Sequence, residues 1–296
     1  MKLTGDERIA KYIDKNGVEG ETVEMDSGVP LKIALTTLTF IAGVGIVLLM
    51  WQLLAWYAND CMHILLGFPY PADSIGWAID HLIDGEKIYG STLLQHIKAS
   101  LVRVLTAFFF AAIVGILLGT LLGYFGRIHS IGIVPVTVLQ TIPGLAWVPI
   151  ALLLFGLGDD ASVFIIFSVS TMVITINVSG GIRMVPEVVT RASKMMGASG
   201  AIMFFKILLP YSSIAIINGL RLGLGSAWRV LIAAEMLIGT GIGLGSSMEI
   251  LSDDLNFVGA FGCIVVIVVI GLIIDKIIFS AIEKSIRHRL GMEEGY

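Results

Sequence analysis

Arg221, Arg229 and Glu235 stand in an otherwise apolar stretch running from Pro210 to Ile238. An ionisable side chain inside a membrane span costs about 2.5–3.5 kcal/mol on insertion scales, so it turns towards protein or water. Counted from Pro210 at about 1.5 Å per residue, Arg221 lies about 16 Å and Arg229 about 28 Å along a helix. At about 100° per residue, Arg221 is about 40° from Glu235 and about 80° from Arg229 around the axis. One broad polar stripe has room for all three. A guanidinium grips an oxyanion through two N–H groups, so such a stripe would line a path for an anion. The alternative is structural: Arg221 braces helix packing, and Arg229 snorkels outward or pairs with Glu235. Arg103, earlier in the chain at the edge of another apolar run, reads as a snorkelling residue. His96 and Lys98 beside it read as solvated.

Other chemistries find little support. No His/Cys cluster has metal-ligand spacing, and no nucleophile–base arrangement is visible. Trp147 and Trp228 read as core packing, with an aromatic gate as the other possibility. A Gly-x4-Gly-Lys-Ser/Thr loop is missing, so the chain does not cradle ATP phosphates by that route. Gly241, Gly243 and Gly245 do not follow a strand and read as a flexible turn. Cys61 falls in a loop and Cys263 inside an apolar run, a pattern with no redox message. A pI near 5.7 argues against a nucleic-acid partner.

The elements that carry these residues follow from hydropathy. The 296 residues are 56% hydrophobic and only 14% charged, against about 25% charged in ordinary soluble domains. Ile33–Tyr57, Val104–Gly126, Ala161–Ile182 and Leu255–Ile274 contain no Asp, Glu, Lys or Arg. Each is long enough to span a bilayer as a helix, which takes about 20 residues. Ser130–Gly158 is uncharged but interrupted by Pro135, Pro143 and Pro149, and Pro210–Ile238 carries the three charges named above. Pro143 and Pro149 are expected to kink their span and free backbone carbonyls. The expected fold is an all-α integral membrane protein of six transmembrane helices. Its permease domain covers 32–290, with tails at 1–31 and 291–296. The first run is about twice the usual core length of a signal peptide and follows a mixed-charge segment, so it reads as a retained span.

Orientation follows from the basic residues. With both termini inside, fourteen of the nineteen Lys and Arg fall in inside segments, and only Lys87 and Lys98 in outside ones. The positive-inside rule therefore favours N-in, C-in. The outer loops are acidic, with Asp60, Asp73, Asp80, Asp84, Glu86, Asp159, Asp160, Glu249, Asp253 and Asp254. Pro71–Asp84 reads as an amphipathic surface helix opened by Pro71 and ended by Gly85, with Ile75, Ala78, Ile79 and Leu82 on one face.

The inside stretch from Ile182 to Pro210 reads IRMVPEVVTRASKMMGASGAIMFFKILLP. Pro186 and Glu187 suit a helix start. Gly197 breaks that helix, a second short one runs from Gly200 to Leu208, and Pro210 begins the next span. Apolar residues on such a hinged pair fit a docking element for a cytosolic partner, or a helix pair lying on lipid.

This stretch resembles the cytoplasmic signature of permeases of ATP-binding-cassette importers: Glu-Ala-Ala, three residues, Gly, nine residues, Ile-x-Leu-Pro. Here the frame falls on Arg191, Ala192 and Ser193, then Gly197 with Ala198 after it, then Ile207, Leu209 and Pro210. Arg191 and Ser193 depart from the pattern. TIPGLAWVPIALLLFGLG (Thr141–Gly158), NGLRLGLGSAWRVLIAAEM (Asn218–Met236) and PYPAD (Pro69–Asp73) are similar to the branch importing nitrate, taurine, alkanesulfonates and bicarbonate.

The resemblance implies a multi-pass subunit of the cell membrane that pairs with a second copy of itself. Two ATPase subunits would dock at Arg191–Pro210, and an extracytoplasmic binding protein would deliver a small anion. ATP and Mg would sit on the ATPase, leaving this chain without a cofactor or enzymatic activity. Two other readings stay open. One is a permease of the same family for a neutral or cationic metabolite. The other is an ion-coupled secondary transporter, which would call for an internal repeat and intramembrane carboxylates beyond Glu235.

Overall fold

The structure, a computed structural model, describes residues 29–63 and 65–275. The expected tails at 1–31 and 291–296 fall almost wholly outside the described residues. The chain divides into two units after His63. The first holds α1 (Val29–Trp56), an unbroken apolar helix that closes in one wide turn at Tyr57–Cys61.

The second unit begins with α2 (Pro71–Ile83), entered at Pro71 in its first turn and left through Gly85 at φ +68°. The face it buries is the expected one in part: Ala78 is buried and Ile75 and Leu82 are half-buried, but Ile79 is exposed and Ser74 is buried instead. Trp77 explains the shift, because its ring lies against Gly259 and Gly262 of α11 (Phe257–Leu272), where no β-carbon obstructs it. A two-residue hairpin, β1 (Lys87–Ile88) and β2 (Ser91–Thr92), leads into α3 (Leu93–Tyr124). Thr92 and Gln95 form a reciprocal capping box at its start, satisfying two donors that a helix end leaves orphaned. This helix starts at Leu93, well before the Val104 expected from hydropathy.

The next crossing is broken in two: α4 (Gly126–Gln140) and α5 (Val148–Phe155) meet at 95°. Pro143 sits at the break, Pro135 inside α4, and Pro149 in the first turn of α5, where a missing N–H is harmless. Then come α6 (Asp159–Arg183), α7 (Glu187–Met195), α8 (Gly200–Met203), α9 (Leu209–Ile238) and α10 (Leu244–Asp253). The second coupling helix is not separate from the span after it. Helix runs without interruption from Gly200 to Ile238, through one π turn at Phe204–Leu208. Pro210 lacks an N–H for the carbonyl four residues back, and a widened turn ahead of it absorbs that defect.

Glycines set the helix packing. Positions 115, 119 and 123 of α3 lie against Ile174, Val178 and Ile182 of α6, where added β-carbons would stand 2.7–2.8 Å from the facing Cβ atoms. Both sets advance together, so α3 and α6 run parallel. Gly181 meets Ala215, Gly219 meets Asn177 and Gly223 meets Ile174, so α9 runs antiparallel to α6. Small residues let backbones approach closely where no hydrophobic effect drives association. Parallel neighbours require the chain between them to return the whole way, so the bent pair α4–α5 is one crossing. With α1 this makes six candidate spans among the described residues.

Candidate functional site

Two sites lie at opposite ends of the second unit. Outer and inner are used here in the sense given by the Lys/Arg distribution.

At the inner end, α7 follows Pro186 and stops before Gly197, whose φ of +87° turns the chain into α8. Ala198, Val189 and Ile207 pack around a small core of Val185, Met203 and Leu208, which rests on Tyr124 at the end of α3. The opposite surface is apolar and open: Val188, Met195, Met196, Ile202 and Phe205 are exposed, Met196 to 88%. Arg191 is exposed and donates to Glu187 at 2.8 Å, one helical turn away. Ala192, Leu209 and Pro210 are half-buried. Every residue of the signature frame thus lies on one hinged element at this end.

At the outer end the charges are interlocked. Glu235, on α9, is 0% exposed, and Arg103, on α3, is 6% exposed. Arg103 Nη1 donates to Glu235 Oε1 at 2.5 Å and its Nε donates to Asp159 Oδ1, at the start of α6, at 2.8 Å. Ser100 Oγ donates to the same carboxylate at 2.8 Å. His96 is buried too: Gly243 N–H donates to Nδ1 at 3.0 Å, which leaves Nε2 to donate to the Ile88 carbonyl at 3.2 Å. Arg103 therefore does not snorkel, and His96 is not solvated. Lys98, by contrast, is exposed. A buried ion pair holds when its remaining hydrogen-bonding capacity is filled, as here.

The single polar stripe separates into three environments. Arg221 Nε donates to Asp275 at 2.7 Å, tying α9 to the end of α11. Glu235 is inside the protein, paired with Arg103 and not with Arg229. Arg229 is exposed, and its guanidinium donates only a long bond, 3.4 Å, to Ser226 Oγ among the described residues. Tyr211, Asn218, Leu222 and Arg229 are all exposed on α9. Their spacings of 7, 11 and 18 residues put them within about 20° of one line along the helix. Close by, Gly144 at the break of the α4–α5 crossing abuts Val230. Trp228 is buried and donates its indole N–H to the Ile267 carbonyl at 3.2 Å. Trp147 is half-buried at the same break, edge-on to Phe164.

What the sequence reading missed is the Arg103–Glu235 link. Its one outward sign was an arginine beside a serine one turn earlier in a capped helix.

The class of this helical membrane bundle, with its hinged apolar element at one end, follows from its match to known proteins. Residues 111–288 match the family described as "Binding-protein-dependent transport system inner membrane component", and the chain belongs to that family, the multi-pass permeases of ABC importers. A putative ABC transporter permease of Methanocaldococcus jannaschii is 34% identical over 78% of this chain and 85% of its own length. The nitrate import permease NrtB of Synechocystis is 36% identical over 62% of this chain and 66% of its own. The taurine permease TauC of Escherichia coli is 31% identical over 62% and 67%. Among solved structures, a chain of the MetNI methionine ABC transporter superposes with a TM-score of 0.55. That match covers 66% of this chain and 95% of that one at 18% identity, a likeness of fold.

Proposed function

We propose that this permease forms the translocation path for a small anion of the nitrate, bicarbonate or sulfonate type. Two copies pair, each with an ATPase subunit on the hinged element from Arg191 to Pro210, and an outer binding protein delivers the anion. ATP and Mg belong to the ATPase, whose closure swings the paired hinged elements and opens the path outward. The observation that carries the substrate class is Arg229. Its charge stands exposed on a line of α9 that is otherwise apolar or neutral, with no carboxylate in ion-pair range among the described residues. A lone guanidinium on such a surface neither neutralises a partner nor packs a core; it is free to hold an oxyanion through two N–H groups. The relatives named for nitrate and taurine import favour the same class.

The test is Arg229→Gln in the reconstituted complex, with uptake of nitrate, bicarbonate and taurine compared with wild type. The variant should assemble normally, because Arg229 supports no ion pair, and should lose at least about tenfold in uptake, the worth of one charged hydrogen bond. Normal uptake of all three by a well-assembled variant would exclude the pathway role. Uptake of a neutral metabolite, unaffected by the substitution, would move the chain to another substrate class.

A further inference from the structure

The outer segment that follows α9, a turn at Gly239–Gly243 and then α10, is held from two sides. Gly243 N–H donates to His96 Nδ1 (3.0 Å), Leu244 N–H to Ser100 Oγ (2.9 Å) and Gly245 N–H to Glu235 Oε2 (2.9 Å). Ser246 Oγ donates to the Glu235 carbonyl at 3.0 Å. The first amides of a helix have no partner within it; here three in succession are taken up by side chains of α3 and α9. The approach is as close as backbone permits. A β-carbon on Gly243 would stand 2.5 Å from the Glu235 carboxyl carbon, and one on Gly245 would stand 2.8 Å from Glu235 Cβ.

Glu235 also lies near the outer end of a helix that continues for 39 residues to Gly200, a length of about 58 Å. The inner end of that helix is the hinged coupling element. Arg229 is on the same helix, less than two turns below Glu235.

We propose that Glu235 is a positioning residue that clamps the outer segment Gly239–Asp253 to α9. The outer segment, the line bearing Arg229 and the inner end at Gly200 then form one rigid body, so a displacement at either end is felt at the other. Engagement of α10 from outside thereby reaches the ATPase through a single helix. The inference rests on the proposed docking of an ATPase at the inner end, and not on the identity of the substrate.

The test uses the assembled complex with its ATPase in lipid nanodiscs, without substrate or binding protein. Hydrogen exchange of peptides covering 239–253 is followed before and after trapping the ATPase with ATP and vanadate. In wild type, trapping should alter exchange in this outer segment. In Glu235→Gln the segment should exchange at least about tenfold faster, the loss expected for a charged acceptor. It should also cease to respond to trapping, although vanadate is still trapped. Ser100→Ala keeps the ion pair and removes the link to Leu244 together with the hydroxyl's own bond to Glu235, and should give part of both effects. A wild-type outer segment indifferent to trapping overturns the proposal, as does a Glu235→Gln segment that responds like wild type. Should Glu235→Gln not assemble, Ser100→Ala decides alone, and unchanged exchange and response in it are fatal. Anion uptake, measured in parallel, tests the pathway reading separately, because it can fail with the exchange pattern intact.

Discussion

The two ends of this permease solve opposite problems. At the outer end, charge is buried and every partner is supplied from within: Arg103 meets Glu235 and Asp159, and Ser100 and the Gly245 amide complete the carboxylate. At the inner end, apolar side chains of α7 and α8 are exposed and flanked by exposed charge, including the surface pair of Arg191 with Glu187. Buried ion pairs are costly to open and serve to fix geometry, whereas an exposed apolar patch rimmed by charge marks a surface that something else covers. One end is closed on itself. The other is made to be completed.

Breaking the closed end should have the largest effect. Arg103→Met strands the Glu235 carboxylate in the interior, at a cost of about 3–5 kcal/mol. The purified subunit should melt earlier or fail to fold in detergent, and adding Glu235→Leu should recover part of the loss by removing the stranded charge. A single variant as stable as wild type would mean that the pair holds nothing together. At the open end, Gly197→Val should act by backbone strain alone, since nothing lies within 4 Å of the added β-carbon and φ is +87°. A left-handed β-branched residue costs about 1–2 kcal/mol, enough to misdirect α8 without preventing insertion. Copurification with the ATPase should fall while the melting temperature barely moves. Gly197→Asn, which tolerates this conformation better, should be milder, and equal damage from both would point to lost contact surface instead. The smallest effect is expected for Arg191→Ala. An exposed pair one turn apart is worth about 0.3–0.5 kcal/mol, so stability should be unchanged within error. Any loss of ATPase association in that variant would read out a contact with the partner itself.

Much of the architecture was legible because the bilayer imposes a length and a polarity that charge-free runs reveal directly. Pro71 and Gly85 bracketed α2, and Gly197 located the hinge, since each residue acts on its own backbone. The start of α3 was illegible for the converse reason. His96, Lys98 and Arg103 look like a loop to hydropathy, and what seats these turns of helix is burial of His96 and Arg103 against α9 and the outer turn. The bent crossing was anticipated in kind, from its prolines, but its direction depends on α6 and α9, which flank it. The link between Arg103 and Glu235 left no periodic trace. Glycine spacing at 115, 119 and 123 announces a close neighbour without saying that α6, and not the adjacent α4, is that neighbour.

The Arg103–Glu235 link has a consequence for synthesis. Its members are separated by 132 residues, and translation proceeds at about 5–20 residues per second. For something on the order of ten seconds, α3 exists with its arginine and without Glu235, the buried one of its two carboxylate partners. During that interval the guanidinium has to reach for water or headgroups at the outer interface, as long basic side chains near helix ends do. Snorkelling, wrong for the finished protein, describes its nascent one. The outer end of α3 can be drawn inward only after α9 arrives, which makes burial of Arg103 a late step in assembly and ties the final seating of the second span to completion of the fifth.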